Sequence, residues 1–235
     1  MADLSAFPIT RRWPARHPDR LQFYSLPTAN GVKVSIMLEE IGLPYEPHAV
    51  DTSRNETWTA EFLSLNPDGK IPAILDPNGP NGKPLALSES GAILLYLAEK
   101  TGKLLPADPN QRIETIQWVF FQMASVGPMF SQFGFFHKFA GKDYADKRPF
   151  ERYRTESQRL FGVLETRLQG RSWIMGDAYS IADISLFSWV RHFVGFYGAG
   201  KLVDYAALKH VPPWLDRCFA RPAVGRGLEI PARPG

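Results

Sequence analysis

An apolar run that carries a proline near its start constrains the fold of this chain more than any other feature. The run is IPAIL at residues 71–75, and turn-forming residues at 78–82 separate it from a second apolar run at 85–87. Proline cannot donate to a β-ladder, so the run predicts a strand that is not fully paired on its entry side. The intervening glycines and prolines predict that the two runs form a hairpin.

The segments around this hairpin predict a small α/β domain. The residue spacing indicates strands at 21–26 and 45–50 and helices at 32–41, 57–65 and 89–101. The resulting order is strand, helix, strand, helix, hairpin, helix. We expect this domain to span residues 21–104, after an extension over residues 1–20 that wraps on the surface.

The second half of the chain predicts helices and no strand. A linker is expected at residues 105–110, followed by an all-helical domain over residues 111–235, with helices at 111–132, 149–168 and 180–190. Ser180 and Asp183 predict a capping box at the start of the last of these, with aspartate in place of the usual glutamate or glutamine. The fold class is therefore α/β followed by all-α.

Charge and hydropathy exclude several classes of protein. The net charge is only +3, and its positive residues form no basic stripe of the kind that binds nucleic acid. No apolar run approaches the ~20 residues of a membrane span, and no apolar segment follows the N-terminal arginines as a secretory signal requires. We therefore expect a cytoplasmic protein that binds neither nucleic acid nor membrane.

The cysteine content limits the redox chemistry of the chain. Cys218 is the one cysteine, so a disulfide framework and a Cys-x-x-Cys pair are excluded. Its surroundings favour a buried structural thiol over a reactive one. Any redox chemistry must therefore use the sulfur of a ligand. The spacing of histidines and carboxylates indicates no metal site.

Two polar residues precede the first helix of the α/β domain. Thr28 and Asn30 lie in the turn PTANG at residues 27–31. A helix N-terminus presents unpaired N–H groups and a positive dipole end, which stabilise an anion such as a thiolate. The alternative is that one of the two side chains is simply an N-cap.

Further polar candidates flank the hairpin. Lys70, Ile71 and Pro72 can present a charge and free backbone groups at the strand entry, although an ordinary edge strand with a trans proline is the alternative. Glu89 and Ser90, at a predicted helix start, can bind an ammonium and a carboxylate group. They can also serve helix stability alone.

The helical half offers weaker candidates. Arg152 suits fork-like recognition of a carboxylate, but a surface arginine is more often solvated. An aromatic stretch at residues 130–139 fits core packing or the wall of an apolar substrate pocket. The candidate pocket residues are Phe130, Phe133, Phe136 and His137.

Together these segments resemble the cytosolic glutathione transferases over residues 21–228. The most specific stretches are PTANGVK at 27–33, KIPAI at 70–74, ESGAILLYLAEK at 89–100 and SIAD at 180–183. With ERY at 151–153, the Thr-x-Asn-Gly turn resembles the bacterial Nu class and its disulfide-bond reductase relatives. The resemblance implies a thioredoxin-like N-terminal domain, an all-helical C-terminal domain and a homodimer.

The resemblance also implies roles for individual residues around glutathione. Thr28 and Asn30 would hold the sulfur, and the Ile71 backbone, ahead of a cis Pro72, would pair with the cysteinyl unit. Lys70 would approach the glycyl carboxylate. Glu89 and Ser90 would hold the γ-glutamyl end, and Arg152 would reach a second glutathione or one half of glutathione disulfide.

The chain departs from the family pattern at two positions, and its N-terminal extension is longer than in the shortest relatives. Thr57 or Trp58 stands where relatives often carry a glutamine, which puts one glutathione contact in doubt. Gly69 replaces an asparagine or serine. Tyr24 lies inside a strand and is interpreted as structural and not as a catalytic tyrosine.

Three functions remain open at this point. The preferred one is reduction of small disulfides by a bound glutathione thiolate. The second is glutathione conjugation to, or removal from, aromatic electrophiles. The third is a binding or stress-response protein with no catalysis, against which the intact set of Lys70, Ile71, Glu89 and Ser90 argues.

Overall fold

The computed structural model describes residues 4–233 and divides into two compact units. The first unit comprises Met1–Thr101 and Pro222–Gly235, and the second comprises Gly102–Arg221. The ends of the predicted extension and helical domain, residues 1–3 and 234–235, lie outside the described residues.

The first unit contains a four-stranded sheet of mixed direction, in the order β2-β1-β3-β4. Strand β1 is parallel to β2 and antiparallel to β3, and β3 and β4 form the predicted antiparallel hairpin. The elements of this unit are α1 (Ile9–Arg12), β1 (Leu21–Ser25), α2 (Gly31–Ile41), β2 (Tyr45–Ala49), α3 (Ala60–Leu63), β3 (Ala73–Asp76), β4 (Leu85–Ser88) and α4 (Ser90–Thr101).

Two elements of this unit differ from the sequence prediction by more than one residue at a boundary. Strand β3 begins at Ala73, so Ile71 and Pro72 precede it, because proline has no N–H for the ladder. The helix predicted at residues 57–65 is a 3₁₀ turn, Glu56–Trp58, followed by α3. The extended backbone of Thr59 separates them, and its side chain caps α3.

Part of the N-terminal extension is buried, in contrast to the surface wrapping that the sequence suggested, while residues 16–20 are exposed. Leu4 and Ile9 are buried in the hydrophobic core against Tyr24 and Phe62, and the partly buried Trp13 packs on the same cluster. The Trp13 indole Nε1 donates to the Ala49 carbonyl at 3.1 Å. This segment therefore completes the core beneath the sheet.

The last helix also returns to the first unit. Helix α10 (Pro222–Gly227) packs on α2 so closely that a Cβ at Gly227 would lie 2.7 Å from the Ile36 Cα. The Ser35 hydroxyl donates to the Gly227 carbonyl at 2.6 Å. The predicted helical domain, residues 111–235, thus includes a segment that belongs to the α/β unit.

The second unit is helical, as predicted. A π-helical turn, Gln122–Val126, joins its first two helices, and another, His192–Phe196, follows its fourth helix. Its helices are α5 (Pro109–Phe121), α6 (Gly127–His137), α7 (Arg148–Leu168), α8 (Ile181–Arg191) and α9 (Val211–Phe219).

The predicted capping box at the start of α8 is present. The Ser180 hydroxyl accepts from the Ala182 N–H at 3.3 Å, and the Asp183 carboxylate accepts from the Ser180 N–H at 3.0 Å. The buried carboxylate also accepts from the Ile174 N–H and the Trp214 indole. Asp183 thereby fixes two further segments of this unit as well as the helix start.

Cys218 is buried in α9, as the sequence suggested.

Within residues 4–233, none of the helices combines the length and hydrophobicity needed to cross a membrane.

Candidate functional site

The strand register brings three of the predicted segments to one edge of the sheet. Tyr24 in β1 pairs with Ala73 at the start of β3, and Ala73 pairs with Ser88 at the end of β4. The chain therefore leaves β1, enters β3 and leaves β4 at the same edge. Around this edge lie the turn at 27–31, the loop at 66–72 and the helix start at 89–90.

Thr28 organises the turn between β1 and α2. Its side-chain oxygen accepts from the Gly31 N–H at 3.1 Å, and its carbonyl accepts from the Val32 N–H at 3.0 Å. Thr28 thus holds the N–H of the first residue of α2, while Asn30, which occupies the N-cap position, makes no capping hydrogen bond with its side chain. A hydroxyl that accepts one bond keeps its proton for another acceptor, so this contact leaves Thr28 able to donate.

Gly31 is required by close approach of the backbone. A Cβ there would lie 2.0 Å from the Leu26 carbonyl oxygen and 2.5 Å from Ser25 Oγ. The first turn of α2 therefore sits directly on the end of β1. This contact holds the N-terminus of α2, and with it Thr28 and Asn30, at the sheet edge.

The loop before β3 is held by Asn66, which the sequence prediction missed. The Asn66 side chain donates to the Lys70 carbonyl at 2.6 Å and accepts from the Asp68 N–H at 3.2 Å. The Lys70 ammonium is exposed and pairs with Asp68 at 2.8 Å. The Ile71–Pro72 peptide bond is cis, as the resemblance implies.

Two departures from the family pattern come together in this loop. Gly69 has a φ of +64°, and a Cβ there would lie 3.1 Å from the Trp58 ring. The exposed Trp58 indole therefore covers the Gly69 backbone, next to Lys70. A side chain at position 69 would have to displace that ring.

Glu89 and Ser90 occupy the start of α4. Glu89 is exposed and has a φ of +67°, and its carbonyl accepts from the Ile93 N–H at 2.9 Å. Ser90 is buried. A non-glycine residue in the left-handed region is uncommon and clusters at functional sites. The helix N-terminus at this point favours a negatively charged group.

Lys33 is the second residue that the sequence prediction did not find. It is fully buried in the first turn of α2, and its Nζ donates to Ser90 Oγ at 3.2 Å. Burial lowers the pKa of Lys33 to about 7, while the charge of Glu89 opposes this shift. Lys33 thus joins the starts of α2 and α4.

Tyr24 is structural, as predicted from the sequence. Its ring is fully buried and stacks on His48 with 4.7 Å between the ring centroids. Burial, and then the negative charge of Glu46, raises the pKa of the Tyr24 hydroxyl.

The remaining predicted site residues belong to the second unit. Arg152 is exposed on α7. Phe130 and Phe133 are fully buried and pack with Phe193, which favours the core-packing interpretation for both. Phe136 and His137 are partly exposed, so substrate contact stays a prediction for them.

Among the described residues, no cluster of three or more histidines, cysteines or carboxylates could hold a metal ion. The groups gathered at the sheet edge are instead hydroxyls, amides, a carboxylate, lysines and two helix N-termini. Such a set fits a small zwitterionic ligand with an anionic sulfur.

Comparison with known proteins identifies the family. The model of the glutathione S-transferase N-terminal domain matches residues 29–100, and that of the C-terminal domain matches residues 118–222. Disulfide-bond oxidoreductase YfcG of Escherichia coli (strain K12) is 41% identical over 211 residues, 88% of this chain and 94% of YfcG. This chain belongs to the glutathione S-transferase family.

Solved structures agree with this assignment. A glutathione transferase from Burkholderia graminis, with two glutathione molecules bound per subunit, is 66% identical and has a TM-score of 0.98. The match covers 100% of this chain and 98% of the Burkholderia chain. A glutathione transferase from Pseudomonas putida, with one glutathione disulfide bound per subunit, is 60% identical and has a TM-score of 0.96. The match covers 98% of this chain and 100% of the Pseudomonas chain.

Proposed function

We propose that this protein is a glutathione-dependent thiol–disulfide oxidoreductase of the Nu-class type. The observation that carries the proposal is the meeting of Thr28, Asn30 and the α2 N-terminus at the edge where β3 and α4 begin. Relatives described as disulfide-bond oxidoreductases, and similar structures that hold glutathione or its disulfide, support it.

The site acts by stabilising a thiolate. A free thiol has a pKa of ~8.5, and a positive helix end with hydrogen-bond donors lowers it. The Thr28 hydroxyl and the Asn30 amide donate to the glutathione sulfur beside the α2 N-terminus. The protein supplies no sulfur of its own to the reaction, since Cys218 is buried.

The reaction then proceeds by two exchanges. The glutathione thiolate attacks one sulfur of a small disulfide, forms a mixed disulfide and releases the other half as a thiolate, which takes up a proton. A second glutathione thiolate attacks the glutathione sulfur of the mixed disulfide and releases the remaining half of the substrate as a thiolate, which also takes up a proton. Two glutathione molecules thereby supply two electrons and leave as glutathione disulfide, while the substrate becomes two thiols.

Other residues bind the remaining parts of the glutathione molecule. The Ile71 backbone, ahead of Pro72, pairs with the cysteinyl unit, and Lys70 approaches the glycyl carboxylate. Glu89 binds the γ-glutamyl ammonium and Ser90 the adjacent carboxylate. Arg152 binds a carboxylate of the second glutathione unit with its planar guanidinium group.

We also propose that the protein is a cytoplasmic homodimer. Helix α5 exposes Ile113 and Phe120, which are 63% and 64% accessible and lie two turns apart. Residues seven apart share one face of a helix. Exposed apolar side chains on one face are suited to contact with a second copy.

The proposed reaction is tested by following reduction of 2-hydroxyethyl disulfide at varied glutathione concentration. Loss of a hydrogen bond to a charged group costs ~1.5–3 kcal/mol, so Thr28→Ala or Asn30→Ala should each lower kcat/KM about 10- to 100-fold. Arg152→Ala should mainly raise the glutathione concentration needed for half-maximal rate.

A matched control is available in the same unit. The Thr59 hydroxyl accepts from the Phe62 N–H in the first turn of α3 at 3.4 Å, as the Thr28 hydroxyl accepts from an N–H in α2, but Thr59 lies outside the proposed site. Thr59→Ala should leave kcat/KM unchanged. Wild-type protein that conjugates an aryl chloride rapidly and reduces the disulfide no faster than free glutathione does would favour conjugation instead.

A further inference from the structure

A cavity in the second unit is lined by cations, and none of its residues belongs to the set proposed to bind glutathione. The cavity has a volume of about 370 Å³ and lies where the C-terminal end of α7, the loop after it and the start of α9 meet. Its basic residues are Arg171, Lys209, His210 and Arg217, and the described residues that line it include no acid. We call it the cationic cavity.

The two arginines of the cationic cavity are held in place without losing their charge. The Arg217 guanidinium group donates twice to the Ser172 carbonyl, from Nε at 3.1 Å and from Nη2 at 2.9 Å. Arg171 Nη1 donates to the Arg167 carbonyl at 3.1 Å. A carbonyl oxygen accepts hydrogen bonds but carries no net charge. Because a guanidinium group has five N–H donors, each arginine also keeps donors for a ligand.

The acid beside the cavity is engaged by backbone groups. The Glu165 carboxylate accepts from the N–H groups of Lys209, His210 and Val211 at 2.6–3.0 Å. It therefore satisfies the start of α9, and its charge also acts on His210. Within the described part of the chain, the two arginines and the lysine of the cavity form no ion pair with this or any other acid.

These cations differ from other arginines of the same unit. Each arginine in another group, on α7, pairs with an acid two or three residues away in sequence: Arg148, Arg154 and Arg159. The cations of the cavity instead face one concave surface without such partners. They repel one another and focus a positive potential there, and a bound anion removes this repulsion.

The chemistry of the cavity favours a phosphate group. Arginine donates in parallel pairs to phosphate oxygens. A phosphate monoester carries about 1.5–2 negative charges at pH 7, so it balances more of the positive charge than a carboxylate does. Leu168 and Pro213 also line the cavity and offer an apolar contact to an organic group. Confinement of the charge to one small cavity differs from the basic stripe that binds nucleic acid.

We propose that the cationic cavity binds the phosphate group of a small phosphorylated organic molecule. Arg171 and Arg217 donate to the phosphate oxygens, and Lys209 adds positive charge. The inference does not depend on the proposed function, since no residue of the proposed reaction lines this cavity. A ligand that binds the folded chain alone also stabilises it, so such a molecule should raise the stability of the protein.

Calorimetric titration with phenyl phosphate, which joins a phosphate group to an apolar ring, tests the proposal at constant ionic strength. The wild type should bind the probe at one saturable site per chain. Arg217→Gln should weaken this binding about tenfold or more, because charge-assisted hydrogen bonds to the phosphate are lost.

Arg159→Gln provides the matched control. Arg159 is a cation of α7 that pairs with Glu156 at 2.7 Å and does not line the cavity. Its substitution should leave the affinity for phenyl phosphate as in the wild type. An equal loss in Arg159→Gln and Arg217→Gln would show that the probe responds only to the overall charge of the protein, which would overturn the proposal.

Lys209→Gln covers the case in which Arg217→Gln does not fold, because the Lys209 side chain makes no hydrogen bond within the described part of the chain. Loss of this charge should weaken binding of phenyl phosphate about two- to fivefold. Absence of saturable binding to the wild type, or an affinity that neither substitution changes, would overturn the proposal. Tighter binding of a single-stranded oligonucleotide, weakened by the same substitutions, would also overturn it, in favour of a nucleic-acid site.

Discussion

At the scale of single residues, contacts with backbone atoms decide where the site residues stand. Thr28 holds the Gly31 N–H, and Gly31 in turn lies against the Leu26 carbonyl. The position of the α2 N-terminus thus depends on the absence of a side chain at residue 31. A change there should affect stability and site geometry together.

Gly31→Ala should lower the free energy of unfolding by about 3 kcal/mol or more, since the new Cβ meets backbone that cannot move without shifting β1. Gly162 is a suitable control, because a Cβ there meets nothing within 4 Å. Gly162→Ala, inside α7, should raise stability by up to about 1 kcal/mol. Urea unfolding measures the loss of stability expected for Gly31→Ala and the gain expected for Gly162→Ala. Equal effects from the two changes would show that the close backbone contact at Gly31 does not require glycine.

Residue types and spacing revealed only part of the site. Thr28, Glu89 and Ser90 were predicted because each sits at a turn or helix start that the local pattern marks, and Ile71 because it precedes the proline at a strand entry. Lys33 and Asn66 were missed, since their partners are Ser90, far along the chain, and the backbone of a non-repetitive loop. A lysine in a helical pattern is ordinarily solvated, so the sequence carried no sign of its burial.

At the scale of elements, α8 was predicted because its start is marked by local sequence, whereas α1 was missed because its position depends on residues far along the chain. The start of α8 is specified locally by Ser180 and Asp183, and the prediction is confirmed. Helix α1 spans only Ile9–Arg12, too short to show a period. Its burial depends on Tyr24 and Phe62, which come later in the chain.

Burial of α1 predicts that the N-terminal segment stabilises the first unit. Ile9 is fully buried, so Ile9→Ala should lower the free energy of unfolding by about 2–5 kcal/mol and Ile9→Val by about 0.5–1.5 kcal/mol. Urea unfolding monitored by tryptophan fluorescence measures the series. Neutral effects from both substitutions would restore the interpretation of this segment as a surface extension.

At the scale of the whole molecule, chain order and compact units do not coincide. The chain builds most of the α/β unit, then the helical unit, and returns with α10 to the first. Contact between α10 and α2 depends on Gly227 and Ser35, which are 192 residues apart in the sequence. Sequence patterns are local, so they placed residues 222–235 with the helices that precede them.

The exposed face of α5 gives a prediction about assembly. Light scattering after size exclusion should show a dimer for the wild type and a monomer for Ile113→Glu with Phe120→Glu, because two carboxylates would be desolvated at the contact. Trp58, 62% exposed in the first unit, serves as control, and Trp58→Glu should remain dimeric. A double variant that stays dimeric would exclude this face.

Titration of bound glutathione through the ultraviolet absorbance of its thiolate measures directly whether the protein stabilises that thiolate. We expect the thiol pKa of bound glutathione to lie at least about one unit below the ~8.5 of a free thiol. It should return toward that value in the Thr28→Ala, Asn30→Ala double variant. If glutathione bound to the wild type titrates like the free thiol, the protein does not stabilise the thiolate.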